Sequence, residues 1–154
     1  MTKTLNNGIV FTMANVLLGV NEENPGLMAK KQLHSVMAVR NALKFNCAAI
    51  AAKHKIIGEM ITDINKELLE EYYNEDKADK VDDNIIVKDE YMHEFVEEQQ
   101  EKLNELSIQP IDLEIVTYPK EKLELYAEKN DGELTDIELD ILEMFIEEKE
   151  EKSE

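Results

Sequence analysis

The stretch KNDGELTDIELDI, residues 129–141, aligns with the twelve-residue calcium loop of an EF-hand. Gly132 falls on the invariant glycine and Glu138 on the bidentate carboxylate. The same alignment puts an alanine and Lys129 at positions one and three, where calcium requires oxygen ligands. Thr135 and Glu138 have the spacing of a capping box, in which each side chain bonds the other residue's backbone N–H. The stretch therefore predicts a turn that leads into a helix, and no calcium site.

The stretch EYMH, residues 90–93, has the Glu-x-x-His spacing with which di-iron helix bundles bind metal from one helix face. Such sites use the motif twice. The residues three places before His34 and His54 are Lys31 and Ala51, so a second copy of the motif is missing. The pattern therefore predicts a solvated helix face and no metal site.

The other residue types offer little for catalysis. The chain has one cysteine, three histidines and five glycines, which leaves neither a nucleophile with a base beside it nor a phosphate-binding glycine loop. Carboxylates are so abundant that no pair of them is diagnostic. We therefore predict a protein that is not an enzyme and uses no cofactor. A metal-dependent enzyme with a carboxylate-rich site is the weakest alternative.

Charge divides the chain in two. Residues 1–60 carry seven basic and three acidic side chains, a net charge of +4, whereas residues 61–154 carry 10 and 32, a net charge of −22. Nucleic acids are bound by basic side chains that displace counterions, and anionic membranes attract basic segments. The whole-chain charge of −18 therefore argues against direct nucleic-acid binding and against membrane attachment.

Chain length and cysteine content limit the number of domains and the cellular compartment that we expect. A chain of 154 residues, of which 43% are hydrophobic, can bury a core, and we expect residues 1–154 to form a single domain. The one cysteine, Cys47, excludes an intrachain disulfide and is typical of a reducing compartment. Neither a targeting segment nor a membrane-spanning run is recognisable. We therefore expect a cytoplasmic protein.

Residues 31–73 contain neither proline nor a turn cluster, and their apolar positions repeat every seven residues. This repeat, the heptad seam, predicts one long, coiled-coil-like helix. Such a helix has more apolar face than shorter helices can cover. We therefore predict that the heptad seam binds a protein partner or a second copy of the chain, through Val36, Arg40, Leu43, Cys47, Ile50, His54, Ile57 and Ile61. For Arg40, the only arginine, we expect an acidic partner from the C-terminal half.

Shorter elements precede and follow the long helix. The N-terminal segment, residues 1–20, contains apolar residues at helical spacing after Asn7, and these predict a helix capped by that asparagine. Pro25 and Gly26 predict a loop before the long helix. The polar and charged residues 74–84 predict a loop after it.

The acidic part of the chain, residues 85–147, mixes strand and helix patterns. We predict two strands that pair with each other, a helix between them, a short helical segment after Pro119 and a final helix that begins at Thr135. The strands are predicted over 85–87 and 111–118, and the helix between them over 89–106. The tail, residues 148–154, is predicted to fray. The predicted fold is mainly α, with the long helix packed against two or three shorter helices and a small two-stranded β element.

One face of the helix predicted over 89–106 carries a row of carboxylates, the acidic face. A solvated helix surface is the common explanation of such a row. The alternative is that the row imitates the charges of a nucleic-acid backbone and binds the basic groove of a nuclease or defence complex. Its residues are Glu94, Glu97, Glu98, Glu101 and Glu105.

The order of several stretches resembles that of a set of phage proteins. These stretches are VRNALKFN, VKDEYMHEFVEEQQEKLNEL, IDLEIV, EKLE and LTDIELDILEMFI. Over about residues 33–147 the chain is similar to small uncharacterised proteins encoded by tailed bacteriophages and prophages, many from Gram-positive hosts. The resemblance implies a phage context, in the cytoplasm of the host cell or in the virion, with neither enzymatic activity nor a cofactor, and it transfers no site residue.

These observations favour a protein that works by protein–protein interaction. Within the phage context it would be an assembly factor, a virion component or an effector on a host protein. The alternative is the acidic nucleic-acid mimic that inhibits a host nuclease or defence complex.

Overall fold

The computed structural model describes residues 1–148. The helices are α1 (Asn7–Leu18), α2 (Met37–Asn74), α3 (Met92–Ile108), α4 (Lys120–Lys129) and α5 (Asp136–Glu143). The strands are β1 (Thr2–Asn6), β2 (Ala78–Val81), β3 (Asn84–Val87) and β4 (Pro110–Glu114). The prediction of a mainly helical fold with one long helix is confirmed. Apart from Glu148, the predicted frayed tail lies outside the described residues.

The long helix α2 contains 38 residues and is about 57 Å long at 1.5 Å per residue. It begins at Met37, six residues later than the sequence pattern predicts. The buried side chain of Asn130 accepts a hydrogen bond from the backbone N–H of His34 at 2.6 Å and donates one to its carbonyl at 2.8 Å. Because these two bonds occupy both backbone groups of His34, the segment before Met37 is not helical.

The main core encloses the first half of α2. Helices α1, α4 and α5 and strand β4 surround it and contribute most of the buried apolar side chains. Leu17, Val39, Ile50, Leu113 and Phe145 have no measurable exposure to solvent. The elements that close this core come from both ends of the chain, so its contacts are separated by many residues.

A smaller, distal core lies at the other end of α2. It consists of Leu68, Tyr72, Ala78, Val87 and Phe95, from α2, the β2–β3 hairpin and α3. The rings of Tyr72 and Phe95 pack edge to face at a centroid distance of 5.3 Å. All five residues lie within 28 positions of one another, so this core is local in sequence whereas the main core is not.

Two antiparallel two-stranded sheets replace the one that we predicted. Strand β4 pairs with β1, with Leu113 opposite Lys3, and β3 pairs with β2, with Val87 opposite Ala78. The predicted pairing of 85–87 with 111–118 is therefore wrong. Strand β1, in the predicted N-terminal helical segment, was missed because its sequence, TKTLN, is short and mostly polar.

The predicted loop at 74–84 contains strand β2 and a tight turn. Asp82 and Asp83 have φ values of 49° and 67° and form the two-residue connection between β2 and β3. Aspartate tolerates this left-handed conformation, and turns of this kind match the twist of a hairpin. The charged sequence of this hairpin concealed it because only Ala78, Val87 and the partly buried Ile85 pack on the distal core.

The ends of two helices also differ from the predictions. The N-cap of α1 is Asn6, whose side chain accepts a hydrogen bond from the backbone N–H of Ile9 at 2.7 Å, whereas we predicted Asn7. Helix α5 ends at Glu143 because the chain then pairs with Tyr118. The Tyr118 N–H donates to the carbonyl of Phe145 at 3.1 Å, and its carbonyl accepts from the N–H of Glu147 at 2.9 Å.

Candidate interaction surface

Most of the heptad seam is buried inside the chain. Five of its side chains are less than 9% exposed, namely Val36, Leu43, Cys47, Ile50 and Ile57. Helix α1 and strand β4 pack on this side of α2. The heptad period therefore marks how α2 packs against its own chain. An interface formed by these five side chains would require the covering elements to move away.

The other three seam residues are only partly covered. Ile61 and His54 are half-buried. The imidazole of His54 stacks on the ring of Phe11 in α1 at a centroid distance of 4.7 Å, and its Nε2 is buried without a hydrogen-bond partner among the described residues. Arg40 is exposed and forms no salt bridge with any carboxylate of residues 1–148. The predicted acidic partner of Arg40 is therefore wrong for the described residues.

The position of Arg40 explains why it has no such partner. Its side chain lines a cavity of about 230 Å³ with Leu27, Leu43 and Tyr126. Lys30, which lines the same cavity, forms an ion pair at 2.7 Å with the carboxylate of Glu138, which is 5% exposed. The cavity that Arg40 lines is therefore formed by apolar side chains together with Lys30, His34 and Ser35, and no carboxylate of residues 1–148 lines it.

Cys47 is part of the main core and is 6% exposed. Burial raises the pKa of its thiol from 9.0 to about 11, because the thiolate is poorly solvated there. A thiol must ionise to act as a nucleophile. Cys47 is therefore a packing residue of α2.

The side of α2 that turns away from the core carries a second apolar stripe, the outer face. Its residues recur at spacings of three and four and lie within an arc of about 120° on the helix. Phe45 is 52% exposed, and Ile56 and Met60 are each 42% exposed. The outer face consists of Phe45, Ala48, Ala52, Ile56 and Met60, all of which are exposed.

The outer face is about 22 Å long from Phe45 to Met60. Its centre is narrow because Ala48 and Ala52 have only methyl side chains, so the backbone of another helix can approach closely there. We missed these five residues in the sequence, although their spacing is that of an amphipathic helix. The same helix has apolar residues on two sides, and spacing alone does not tell which side the chain covers.

Charge along α2 reverses near its middle. Residues 37–56 contain four basic side chains and no acidic one, a net charge of +4, whereas residues 57–74 contain five acidic and one basic, a net charge of −4. Lys44 and Lys55 are exposed near the outer face, and Asp63 and Glu67 continue it beyond Met60. The outer face is therefore bordered by opposite charges at its two ends.

The acidic face of α3 is only partly free. Glu94 accepts a hydrogen bond from Lys77 at 3.0 Å, and Glu98 is half-buried. Glu97, Glu101 and Glu105 are exposed at intervals of four residues and form a straight row of about 6 Å spacing. Three of the five residues that we predicted for a mimic surface therefore lie in one accessible row.

Lys77 ties that side of α3 to the distal core. Its ammonium lies 5.4 Å from the ring centroid of Tyr72 and 5.6 Å from that of Tyr91. The hydrogen bond to Glu94, followed by that to Glu75, raises the pKa of Lys77 above its ordinary value. Burial, followed by the charges of Glu98 and Glu94, raises the pKa of Tyr72 to about 12.

The stretch 129–141 is a turn with a capping box. Thr135 caps α5, and its side chain and that of Glu138 each bond the other residue's backbone N–H, as predicted. The Glu138 carboxylate also accepts a hydrogen bond from the Lys30 ammonium at 2.7 Å, so its charge is already compensated within the chain. Among residues 1–148 no three His, Cys, Asp or Glu side chains are grouped so that they could hold a metal ion.

Comparison of the chain with protein-family models, with curated proteins and with solved structures gave no match. None of the helices in residues 1–148 is long and apolar enough to cross a membrane.

Proposed function

We propose that this chain is a non-catalytic, phage-type protein that acts by protein–protein interaction through the outer face of α2. In that role it is an assembly factor, a virion-associated component or an effector on a host protein, working in the cytoplasm of the host or in the particle. The observation that carries the proposal is the row of exposed apolar side chains on a helix whose opposite side is already packed by its own chain at five of eight seam positions.

The energetics of the outer face support this proposal. Completing the burial of a large apolar side chain that is already half-covered stabilises a complex by about 1 kcal/mol. Phe45, Ile56 and Met60 together would contribute about 3 kcal/mol before any gain from the alanines. Because aromatic residues are enriched among the residues that dominate binding energies, we expect Phe45 to be the main anchor.

The phage-type role is supported by the sequence resemblance over about residues 33–147. The apolar outer face on an otherwise acidic chain supports a protein as the ligand.

Site-specific photo-crosslinking in the cell tests the proposal. A benzophenone amino acid at Ala48 is expected to give discrete adducts with a protein that mass spectrometry identifies. The same amino acid at Ile137, which is 48% exposed on α5, is the matched control. Adducts that are equally abundant from both positions, or absent at Ala48, would contradict the proposal.

A second variant shows whether the adducts from Ala48 come from binding through the outer face or from chance collisions. Phe45→Glu places a carboxylate in the outer face and is expected to remove the adducts formed from Ala48. Val20→Glu is the control, because Val20 is 65% exposed in the loop after α1 and lies off the outer face. Adducts that persist in Phe45→Glu would place the contact elsewhere.

The second candidate function is the nucleic-acid mimic, favoured by the exposed row of Glu97, Glu101 and Glu105. Binding of that kind weakens steeply between about 50 and 200 mM salt, since long-range charge attraction is screened. Binding through the apolar outer face responds much less. Loss of partner binding in a triple Glu→Gln variant of this row, with binding retained in Phe45→Glu, would favour the mimic over the proposed function.

A further inference from the structure

The outer face has a charge pattern that is complementary to itself. Its N-terminal end is bordered by Lys44 and its C-terminal end by Glu59 and Asp63. Two such helices side by side in parallel would bring like charges together along their whole length. In antiparallel orientation the Lys44 end of each outer face lies beside the Glu59 and Asp63 end of the other.

From this pattern we infer that the partner of the outer face is a second copy of the chain, packed antiparallel about a two-fold axis near Ala52. The inference rests on the proposed function, because it names the occupant of the same surface. It uses the side of α2 opposite to the heptad seam, through which we had predicted self-association.

The sizes of the side chains fit the same register. With the axis at Ala52, residues whose numbers add to about 104 face each other. Ile56 of each copy then lies over Ala48 of the other, and Phe45 lies beside Glu59 and Met60 of the other copy. A large side chain opposite a small one lets two helices pack closely, and a methionine sulfur beside an aromatic ring adds a favourable contact.

The charged groups beside the apolar stripe are arranged consistently with this register. Lys44 lies within one residue of the position opposite Glu59, and Asn41 lies opposite Asp63. Lys53 and Lys55 flank the axis in both copies, and the repulsion among them lowers the affinity. A helix pair of about 22 Å falls at or below the small end of specific interfaces, which bury about 1,200 Å² in total. We therefore expect a reversible dimer with a dissociation constant in the micromolar range.

Disulfide trapping tests the register directly. In the Ala52→Cys variant the two introduced thiols lie next to the axis, where their Cβ atoms are close enough for a disulfide. Mild oxidation at about 50 µM protein is expected to convert most of this variant to a covalent dimer of twice 17.8 kDa. Ala51→Cys is the matched control, because Ala51 is exposed but lies off the outer face. Equal trapping at both positions would overturn the register.

Sedimentation equilibrium tests whether the dimer forms without a crosslink. The wild-type chain is expected to shift from monomer to dimer between about 1 and 500 µM. Phe45→Glu is expected to raise the dissociation constant at least about 30-fold, whereas Val20→Glu leaves it unchanged. A wild-type chain that stays monomeric throughout this range overturns the inference, while photo-crosslinking from Ala48 to a different protein would still support the proposed function.

Charge exchange tests the antiparallel orientation. Lys44→Glu and Glu59→Lys are each expected to weaken the dimer about fivefold, since each places like charges side by side at two symmetric positions. In the double variant opposite charges face each other again, with their positions exchanged. Its dissociation constant is expected to lie within about threefold of the wild-type value. If the double variant is weaker than either single one, the two residues do not face each other and the orientation is wrong.

Discussion

The two sides of α2 are both apolar but differ in what covers them. The heptad seam is packed against α1 and β4, with Ile50 fully buried, whereas the outer face leaves half of Phe45 exposed. Substitutions on the seam should therefore change the stability of the fold, and substitutions on the outer face should change association. The regular repeat in α2 therefore reports the internal packing, whereas the less regular stripe on the opposite side is the accessible surface.

The largest effect on stability is expected from the seam. Ile50→Ala removes three methyl or methylene carbons from a site with no solvent exposure and is expected to lower the free energy of unfolding by about 3 to 4 kcal/mol. Ile56→Ala on the outer face removes the same atoms from a side chain that is 42% exposed and is expected to cost less than about 1 kcal/mol. Denaturant unfolding at low protein concentration measures both. Equal losses would mean that the two sides of α2 are equally packed.

A somewhat smaller effect is expected at Asn46, which is fully buried on the packed side of α2. Its side chain donates to the Val116 carbonyl at 2.9 Å and accepts from the Val116 N–H at 2.7 Å. Asn46→Ala leaves both backbone groups without these partners and is expected to cost about 2 kcal/mol. Asn41→Ala, at an exposed position on the same helix, is the control. A loss below about 0.5 kcal/mol at Asn46 would show that solvent replaces the missing bonds.

Thiol reactivity distinguishes the heptad seam from the outer face of α2 without a substitution in the seam, because Cys47 is already there. Because burial raises the pKa of Cys47 to about 11, its thiolate fraction near pH 8 is about a hundredfold lower than that of a thiol with pKa 9.0. The wild-type chain is therefore expected to be alkylated slowly until it unfolds, whereas the cysteine introduced in Ala52→Cys reacts at once.

The raised pKa of Cys47 also makes the stability of the fold depend on pH. Since the folded-state pKa is raised, this contribution to stability is complete below about pH 9 and is lost as the pH rises toward 11.

The smallest effect on folding is expected from the outer face. Phe45→Glu changes a half-exposed side chain and is expected to alter the free energy of unfolding of the monomer by no more than about 0.5 kcal/mol. A thermal melt at low concentration checks this value. A large loss of stability would mean that Phe45 belongs to the core, and the loss of association in this variant would then say nothing about the interface.

The sequence revealed the elements with strong local patterns. The heptad period identified the long helix, and Thr135 with Glu138 identified the start of α5, since a capping box is formed by residues three positions apart. Strand β1 was missed because its partner, β4, lies more than a hundred residues away and its own sequence is polar. Strand β3 was predicted at 85–87, but β2 and its pairing with β3 were missed because most side chains of this hairpin face solvent. The long-range hydrogen bonds of Asn130 that delay the start of α2 have no local signature.

The candidate surface could be predicted only in part. The sequence indicated that α2 carries more apolar surface than one packed side needs, but it could not assign sides, because α1 and β4 reach α2 from distant parts of the chain. For Arg40 the expectation of an acidic partner rested on the acidic character of the C-terminal half. Tyr126 is the residue of that half that lines the cavity of Arg40, and Glu138, the one buried carboxylate among the described residues of that half, is paired with Lys30.

Methyl NMR of the wild-type chain over a dilution series shows which side of α2 takes part in association, because it reports on both sides in one sample. The methyl signals of Ile56 and Met60 are expected to shift together with concentration, with a midpoint in the micromolar range. Those of Ile50 and Ile57 are expected to stay in place. Shifts at Ile50 and Ile57 with none at Ile56 and Met60 would contradict the assignment of the outer face as the interaction surface.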